Sequence, residues 1–131
     1  MTIERTNPSE LHATPGYHHV TTVHANTLVY LAGQCPLTPS GELVEGGLEA
    51  QTAQVIANIL TALKSANATP EDVVRTVIYV ASSDQKELGA VWAQLNASPL
   101  APAFTTASTL LGVAQLGFTG QRVEIDVTAA L

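Results

Sequence analysis

The 131-residue sequence has few basic side chains, a single cysteine and no long apolar run. Its five lysines and arginines are scattered, and eleven acidic residues bring the formal charge to −6. Nucleic acids and anionic membrane surfaces attract clustered basic residues, so we expect neither as a partner. No apolar stretch approaches the ~20 residues of a membrane-spanning helix. One cysteine cannot form an internal disulfide, and with a polar N-terminus this favours the cytoplasm.

The composition is apolar for so short a chain, with 46% hydrophobic and only 12% charged residues. A domain of this size has a large surface for its volume and cannot hide that much apolar area alone. We therefore expect one domain over residues 1–131 that associates with further copies of itself. Residues 1–15, which are polar and contain two prolines, are predicted to be an extended lead-in.

Hydrophobic periodicity predicts an α+β fold with the order β-β-α-β-α-β-β and both helices on one face of the sheet. Val73–Ala81 is apolar on both faces, which is typical of a central strand. A turn signal at Ala25-Asn26 predicts a hairpin between the first two strands. The predicted strands are 19–24, 27–32, 73–81, 105–113 and 121–129, the helices are 48–66 and 84–96, and a short helical turn lies within 67–72.

Three histidines close together, His18, His19 and His24, raise the question of a metal site. Adjacent residues of a strand point to opposite faces, so His18 and His19 cannot both face one ion if the segment is extended. No cysteine or carboxylate stands nearby at ligand spacing, whereas zinc takes three or four ligands. We predict no metal site and ordinary strand or loop histidines.

Three further positions could carry chemistry. Cys35 is either a reactive thiol or, as we favour, a structural cysteine, because no activating base stands beside it in the sequence. Glu124 shares one face of the last strand with Asp126, and it is either solvated or able to handle protons in a subunit interface. Gly33-Gln34 ends a strand, and the glycine would let a ligand approach the backbone closely.

Several segments, taken in order, resemble the RidA/YjgF family. The apolar strand that ends in Gly33-Gln34 and is closed by Pro36 is the most distinctive of them. Gly16-Tyr17 resembles an N-terminal element of the family, and Val123-Glu124-Ile125-Asp126 resembles its last strand. The other matching segments are 41–44, 51–58 and 72–80.

The resemblance implies a chorismate-mutase-like fold and a homotrimer whose sheets form a central barrel, with a small-molecule site in each cleft between subunits. Enzymes of the family hydrolyse 2-imino acids to 2-oxo acids and ammonia without metal or cofactor. It also implies that Glu124 positions the attacking water, that Tyr17 lines the pocket, and that Gly33 and Gln34 belong to the strand end that contributes backbone contacts.

The chain departs from the family pattern at the arginine that binds the substrate carboxylate. That position is Phe104 if Pro102-Ala103 sets the alignment and Ser108 if 111–113 sets it, and we favour Ser108. No arginine or lysine occurs between Lys86 and Arg122 in either case. Gly89 stands where the family often has asparagine, and His18-His19 follow the tyrosine.

Two hypotheses follow from the missing arginine. In the first, the protein is a deaminase or related hydrolase whose imine or enamine substrate differs from the usual 2-imino acids. His18, His19 or another subunit would then supply any charge that the substrate needs. In the second, the cleft binds a metabolite without catalysis and the trimer has a regulatory role.

Overall fold

The computed structural model describes all 131 residues, and its core lies between a four-stranded sheet and two helices. The α+β class is therefore confirmed. The helices are α1 (Gly47–Ser65) and α2 (Gln85–Asn96), and short 3-10 turns lie at Pro70–Asp72 and Ala101–Phe104. The strands are β1 (Thr2–Thr6), β2 (Val20–His24), β3 (Leu28–Tyr30), β4 (Val73–Ala81), β5 (Ala107–Val113) and β6 (Val123–Ala130).

The main sheet has the strand order β3-β6-β4-β5, with β4 parallel to β5 and antiparallel to β6. The prediction that β4 is a central strand is confirmed. Val123, Ile125 and Val127 of β6 are buried on the helix-covered face, where burial of their side chains stabilises the layer contact. The alternate residues, Glu124 and Asp126, lie on the other face, which we call the open face, and are only half-buried.

Two glycines allow α1 to begin where it does. Gly46 and Gly47 have φ angles of 112° and 80°, a region that only glycine enters without strain. The chain turns sharply there, and the helix begins at Gly47, one residue before the predicted start. Its buried stripe includes Val55, Ile59 and Leu63, as the periodicity indicates.

The predicted hairpin between the first two strands is wrong. β2 pairs with β1, whereas β3 pairs with β6 in the main sheet. The amides of Asn26 and Thr27 donate to the Leu131 carbonyl, at 3.3 and 3.1 Å, so the turn is bonded to the end of the chain. The predicted extended lead-in over residues 1–15 contains a strand, because Thr2–Thr6 forms β1. β1 and β2 make a two-stranded sheet that is separate from the main sheet.

The open face of the main sheet carries exposed apolar side chains. Tyr30 is 73% exposed and Leu111 is 41% exposed, and each pairs in register with an open-face residue, Thr128 and Tyr79 respectively. Neither helix covers this side of the sheet, so it is the face where association would bury apolar area. No helix of the protein is both long and apolar enough to cross a membrane.

Candidate functional site

Glu124 is held in a fixed position on the open face by two hydrogen bonds. The Cys35 thiol donates to Glu124 Oε1 at 3.1 Å, and the Gln121 side-chain amide donates to the same oxygen at 3.1 Å. Gln121 is itself buried and also donates to the Val123 carbonyl, so its amide group is well anchored. Both protein donors therefore use Oε1, which leaves Oε2 available for a water molecule or a ligand.

Gly33 provides the space that the Glu124 carboxylate occupies. A Cβ atom at position 33 would lie 2.3 Å from Glu124 Oε2 and 3.0 Å from Asp126 Oδ1. Any larger residue would push at least one carboxylate away, so only glycine permits this packing. The two carboxylates thus converge on the backbone of the strand-end segment, as the sequence predicted for Glu124 and Asp126 on one face.

Cys35 is a hydrogen-bond donor in this arrangement and not a nucleophile. Partial burial, followed by the hydrogen bond and the charge of Glu124, raises the pKa of the Cys35 thiol to about 11. At neutral pH the thiol keeps its proton, and the thiolate that would attack an electrophile is nearly absent. This agrees with the structural role that the sequence favours.

Asp126 continues the polar group along the open face. The Tyr79 hydroxyl donates to Asp126 Oδ2 at 3.2 Å. Burial, and after it the Asp126 charge, raises the pKa of Tyr79 above its usual value. Tyr79 therefore stays a neutral donor in the physiological range and holds Asp126 in place.

The segment around Gly33 is attached on both sides. Gln34 exchanges backbone hydrogen bonds with Ile125 of β6, at 2.9 and 3.2 Å. Its side-chain amide donates to the Ala32 carbonyl at 2.9 Å, so this amide and both backbone groups already have partners within the chain. A substrate-binding role for Gln34 stays a prediction. From α1, the Asn58 amide donates to the carbonyls of Cys35 and Leu37, at 2.9 and 3.0 Å. The Asn58 partners are more than 20 residues away in the sequence, so helical periodicity cannot reveal them.

A second group of candidate residues surrounds a small cavity of about 150 Å³. Tyr17 and Ser108, both predicted to bind substrate, are in its lining, and so is Gly89. The lining is completed by Pro15, Trp92 and Leu110. The Tyr17 and Trp92 rings meet edge to face, 6.2 Å between centroids, and Trp92 meets the buried Phe104 in the same way at 6.0 Å.

His18 and His19 bind backbone groups and do not line this cavity. His18 Nδ1 is hydrogen-bonded to the Thr105 carbonyl, and because a carbonyl only accepts, that nitrogen carries the proton. His19 Nε2 is bonded to the His12 carbonyl at 2.8 Å. The His18 contact holds the segment of residues 12–19 against Thr105, and the His19 contact closes the segment on itself, so both help to position Tyr17.

The two residues considered for the arginine position have different surroundings. Phe104 is fully buried in the core. Ser108 lies in β5 opposite the buried Thr76, whose hydroxyl donates to it at 2.6 Å. Ser108 is thus on the helix-covered face of the sheet, whereas Glu124 is on the open face. Within one chain, the structure brings Glu124, Gly33 and Gln34 together and keeps Tyr17 and Ser108 apart from them.

Sequence reasoning did not assign site roles to Gln121, Tyr79 or Trp92. Gln121 precedes its strand, and nothing in the pattern indicates that its side chain folds back onto Glu124. Strand alternation indicates which face of β4 carries Tyr79. Its hydrogen bond to Asp126 depends on how β4 and β6 pair, which the sequence does not show. Trp92 lies one helical turn after Gly89, so the pair is visible as an i, i+3 spacing.

A mixed sheet with two helices on one face and a polar strand end beside a carboxylate defines the class as a two-layer α+β domain with a candidate carboxylate site. The family model described as Endoribonuclease L-PSP matches residues 8–131. The chain belongs to this family, as its sequence motifs indicate.

Individual relatives agree with this assignment. A crystal structure of YyfB from Yersinia pestis, a protein of the Rid family whose function is unknown, superposes with a TM-score of 0.90 at 35% identity and covers all of both chains. The YjgF product of E. coli superposes with a TM-score of 0.68 at 26% identity over 90% of each chain.

Sequence matches to curated relatives are shorter. HMF1 of Saccharomyces cerevisiae is 36% identical over 83 residues, which is 63% of this chain and 63% of that protein. Reactive Intermediate Deaminase A of Arabidopsis thaliana is 36% identical over 86 residues, 64% of this chain and 46% of that protein. The matches thus span less than two-thirds of these relatives' own length.

Proposed function

We propose that the protein is a deaminase that hydrolyses an imine or enamine in a cleft between subunits, with Glu124 as the catalytic carboxylate. The observation that carries the proposal is the Glu124 side chain itself. One of its oxygens is fixed by Cys35 and Gln121, and the other faces the Gly33 backbone without a protein donor. A positioned carboxylate with one free oxygen is what general-base attack by water requires.

The proposed reaction needs only water as co-reactant. Glu124 takes a proton from water while the water oxygen forms a bond to the imine carbon, and the imine nitrogen then receives that proton. The resulting carbinolamine loses ammonia as the carbonyl forms, with a second proton passing through Glu124 to the leaving nitrogen. The overall change is imine plus water to carbonyl compound plus ammonia, and the carboxylate is regenerated.

We propose a homotrimer because neither face of one chain contains both groups of candidate residues. Glu124 lies on the open face and Ser108 on the covered face, so a shared site needs a neighbouring subunit. The exposed Tyr30 and Leu111 give the open face the apolar area that a subunit interface would bury. In the proposed cleft, Glu124 of one subunit faces the Tyr17–Ser108 cavity of the next.

The substrate of the proposed enzyme differs from the usual 2-imino acids. A carboxylate is best bound by an arginine fork, and no arginine or lysine is among the residues that line the cavity. Loss of such a contact costs about 2–4 kcal/mol, which is roughly 30- to 1000-fold in rate. We propose the cytoplasm as the compartment, since the only cysteine is a free thiol and disulfides are characteristic of oxidising compartments.

A non-catalytic trimer that binds a metabolite is the alternative function. The missing arginine favours this alternative as well. A site without that cation can still bind a ligand of another kind, although it no longer turns over 2-imino acids. In that case Glu124 would contribute to the fold of the open face and not to a reaction.

Ammonia release from imines generated in situ separates the two functions. An amino-acid oxidase supplies 2-imino acids, and an amine oxidase supplies imines without a carboxylate. For the imines without a carboxylate, we expect the protein to release ammonia faster than the spontaneous rate. The rate should fall by about 100-fold or more in Glu124→Gln. No acceleration with any imine, or an unchanged rate in Glu124→Gln, would support the non-catalytic alternative. Ser108→Arg tests whether a restored cation brings back 2-imino acid turnover.

A further inference from the structure

The polar atoms around the 150 Å³ cavity are already bonded to the protein. Ser108 accepts from Thr76 and donates to the Thr106 carbonyl at 3.1 Å. The Tyr17 hydroxyl is bonded to His12 Nε2 at 3.1 Å. The Trp92 indole N–H donates to the Pro15 carbonyl at 3.4 Å, a long contact with a residue that also lines the cavity. What the cavity offers a ligand is therefore ring surface and aliphatic carbon.

The size of the cavity limits its occupant. A dry, apolar cavity of about 150 Å³ is large enough for one benzene molecule. The pocket here has a similar volume but, unlike such a closed cavity, opens to solvent beside the exposed Pro15 and Gly89. It is bordered by the Tyr17 and Trp92 rings, Pro15 and Leu110. Aromatic rings favour edge-to-face contacts with other rings, and Tyr17 and Trp92 already meet at 80°.

Gly89 leaves the cavity open from the α2 side. A Cβ atom at this position would meet no heavy atom within 4 Å, so the space beside the helix is empty. Glycine inside a helix costs about 0.5–1 kcal/mol relative to alanine. Trp92 follows one turn later on the same side of α2, and its ring forms the wall that faces this space.

We propose that this cavity is the specificity pocket of the site and that it takes one uncharged six-membered aromatic ring of the substrate. The inference rests on the proposed function and deepens it, since it names the substrate class as aryl-substituted imines or enamines. Ring burial against Tyr17 and Trp92 replaces the carboxylate contact as the source of binding free energy. Gly89 and Trp92 are the residues that determine the specificity.

Trp92 is the only tryptophan in the chain, so its fluorescence reports directly on the cavity. The probe is benzyl alcohol, titrated into the full-length protein, with 1-butanol and benzoate as the aliphatic and the anionic comparison. We expect a saturable change in Trp92 emission with benzyl alcohol, and binding at least about tenfold weaker for the other two compounds, because neither supplies an uncharged ring.

Gly89→Leu fills the cavity from α2 and should weaken benzyl alcohol binding about tenfold or more, since the added side chain takes the ring's volume. Ala90→Leu is the matched control, because Ala90 lines a separate groove between α1 and α2 and not this cavity. Gly89→Ala checks that the helix itself tolerates a side chain. No saturable change, or equal binding in Gly89→Leu and the wild type, would overturn the proposal.

Activity distinguishes failure of this inference from failure of the proposed function. Amine oxidase generates aryl imines from benzylamine and alkyl imines from butylamine, and we expect the aryl imine to be preferred by about tenfold or more. Hydrolysis of alkyl imines only, without ring binding, would overturn the pocket assignment alone. Ring binding that persists in Glu124→Gln, with no imine hydrolysed by the wild type, would overturn the deaminase function alone.

Discussion

Gly33 determines where the Glu124 carboxylate can lie. The backbone of the strand-end segment is bonded to Ile125, so an added side chain at position 33 would have to displace the Glu124 carboxylate from the hydrogen bonds that hold it. The sequence predicted that glycine here allows a close approach, but it assigned the approach to a ligand. In the structure, the group that approaches is the candidate catalytic carboxylate itself.

Gly33→Ala should therefore disable the site while preserving the fold. Its backbone is not in the left-handed region, so alanine is acceptable there, but the new Cβ would displace Glu124 Oε2. We expect imine hydrolysis to fall about 100-fold, the usual effect of misplacing a reacting group by about 1 Å. Gly117→Ala, where a Cβ meets nothing within 4 Å, is the control. Full activity in Gly33→Ala would contradict the role assigned to this packing.

The Cys35 thiol provides a pH-dependent readout of the same cluster. Its pKa of about 11 means that the thiolate fraction rises about tenfold per pH unit up to that value. Alkylation by iodoacetamide should therefore increase steadily from pH 7 to 10, and Cys35→Ser should take up no label because the chain has one cysteine. Glu124→Gln should speed alkylation at pH 8, since it removes a charge that raises the pKa. A plateau near pH 9 in the wild type would show that the thiol is unperturbed.

For the helices and strands, local sequence signals indicate where the helices begin, but they do not predict which strands pair. The start of α1 follows from Gly46-Gly47, and α2 is capped by Asp84, whose side chain accepts from the Lys86 amide. The choice of partner for β2 depends on residues 2–6 and on Leu131, which are distant in sequence. Hydrophobic periodicity is a local property and cannot show which distant strand pairs with β2, so the predicted hairpin was wrong.

Asn58 connects α1 to the strand-end segment, and its removal should loosen both. Asn58→Ala leaves the Cys35 and Leu37 carbonyls without their side-chain donor, which costs about 1–3 kcal/mol for buried groups and less where water reaches them. Urea unfolding measures the loss, and Lys64→Ala on the exposed side of α1 is the control. An effect of Asn58→Ala no larger than that of Lys64→Ala would mean that the contact adds nothing to stability.

At the scale of the molecule, the sheet separates the two halves of the proposed site. Alternation along β6 predicted correctly that Glu124 and Asp126 share a face. The face of Ser108 could not be read from the sequence, because the alignment was ambiguous and β5 does not alternate between buried and exposed residues. Only the pairing of Ser108 with Thr76 places it opposite to Glu124.

The oligomer itself is testable by a charge on the open face. We expect light scattering to report a trimer for the wild type and smaller particles for Leu111→Glu, because a buried unpaired carboxylate is costly. Ala57→Glu adds the same charge on the exposed side of α1 and should leave the trimer intact. A monomeric wild type would exclude the shared cleft.

Mixed oligomers test most directly the claim that two subunits build one site. Glu124→Gln lacks the carboxylate and Gly89→Leu has a filled cavity, so each variant alone should release ammonia from the benzylamine-derived imine at no more than about a tenth of the wild-type rate. After equal mixing and reassembly, about a quarter of the interfaces of a heterologous ring would combine an intact Glu124 with an intact cavity. We predict that ammonia release returns to roughly that fraction of the wild-type rate. Mass spectrometry verifies that mixed trimers have formed. A mixture no more active than either variant alone would then contradict the claim that two subunits build one site.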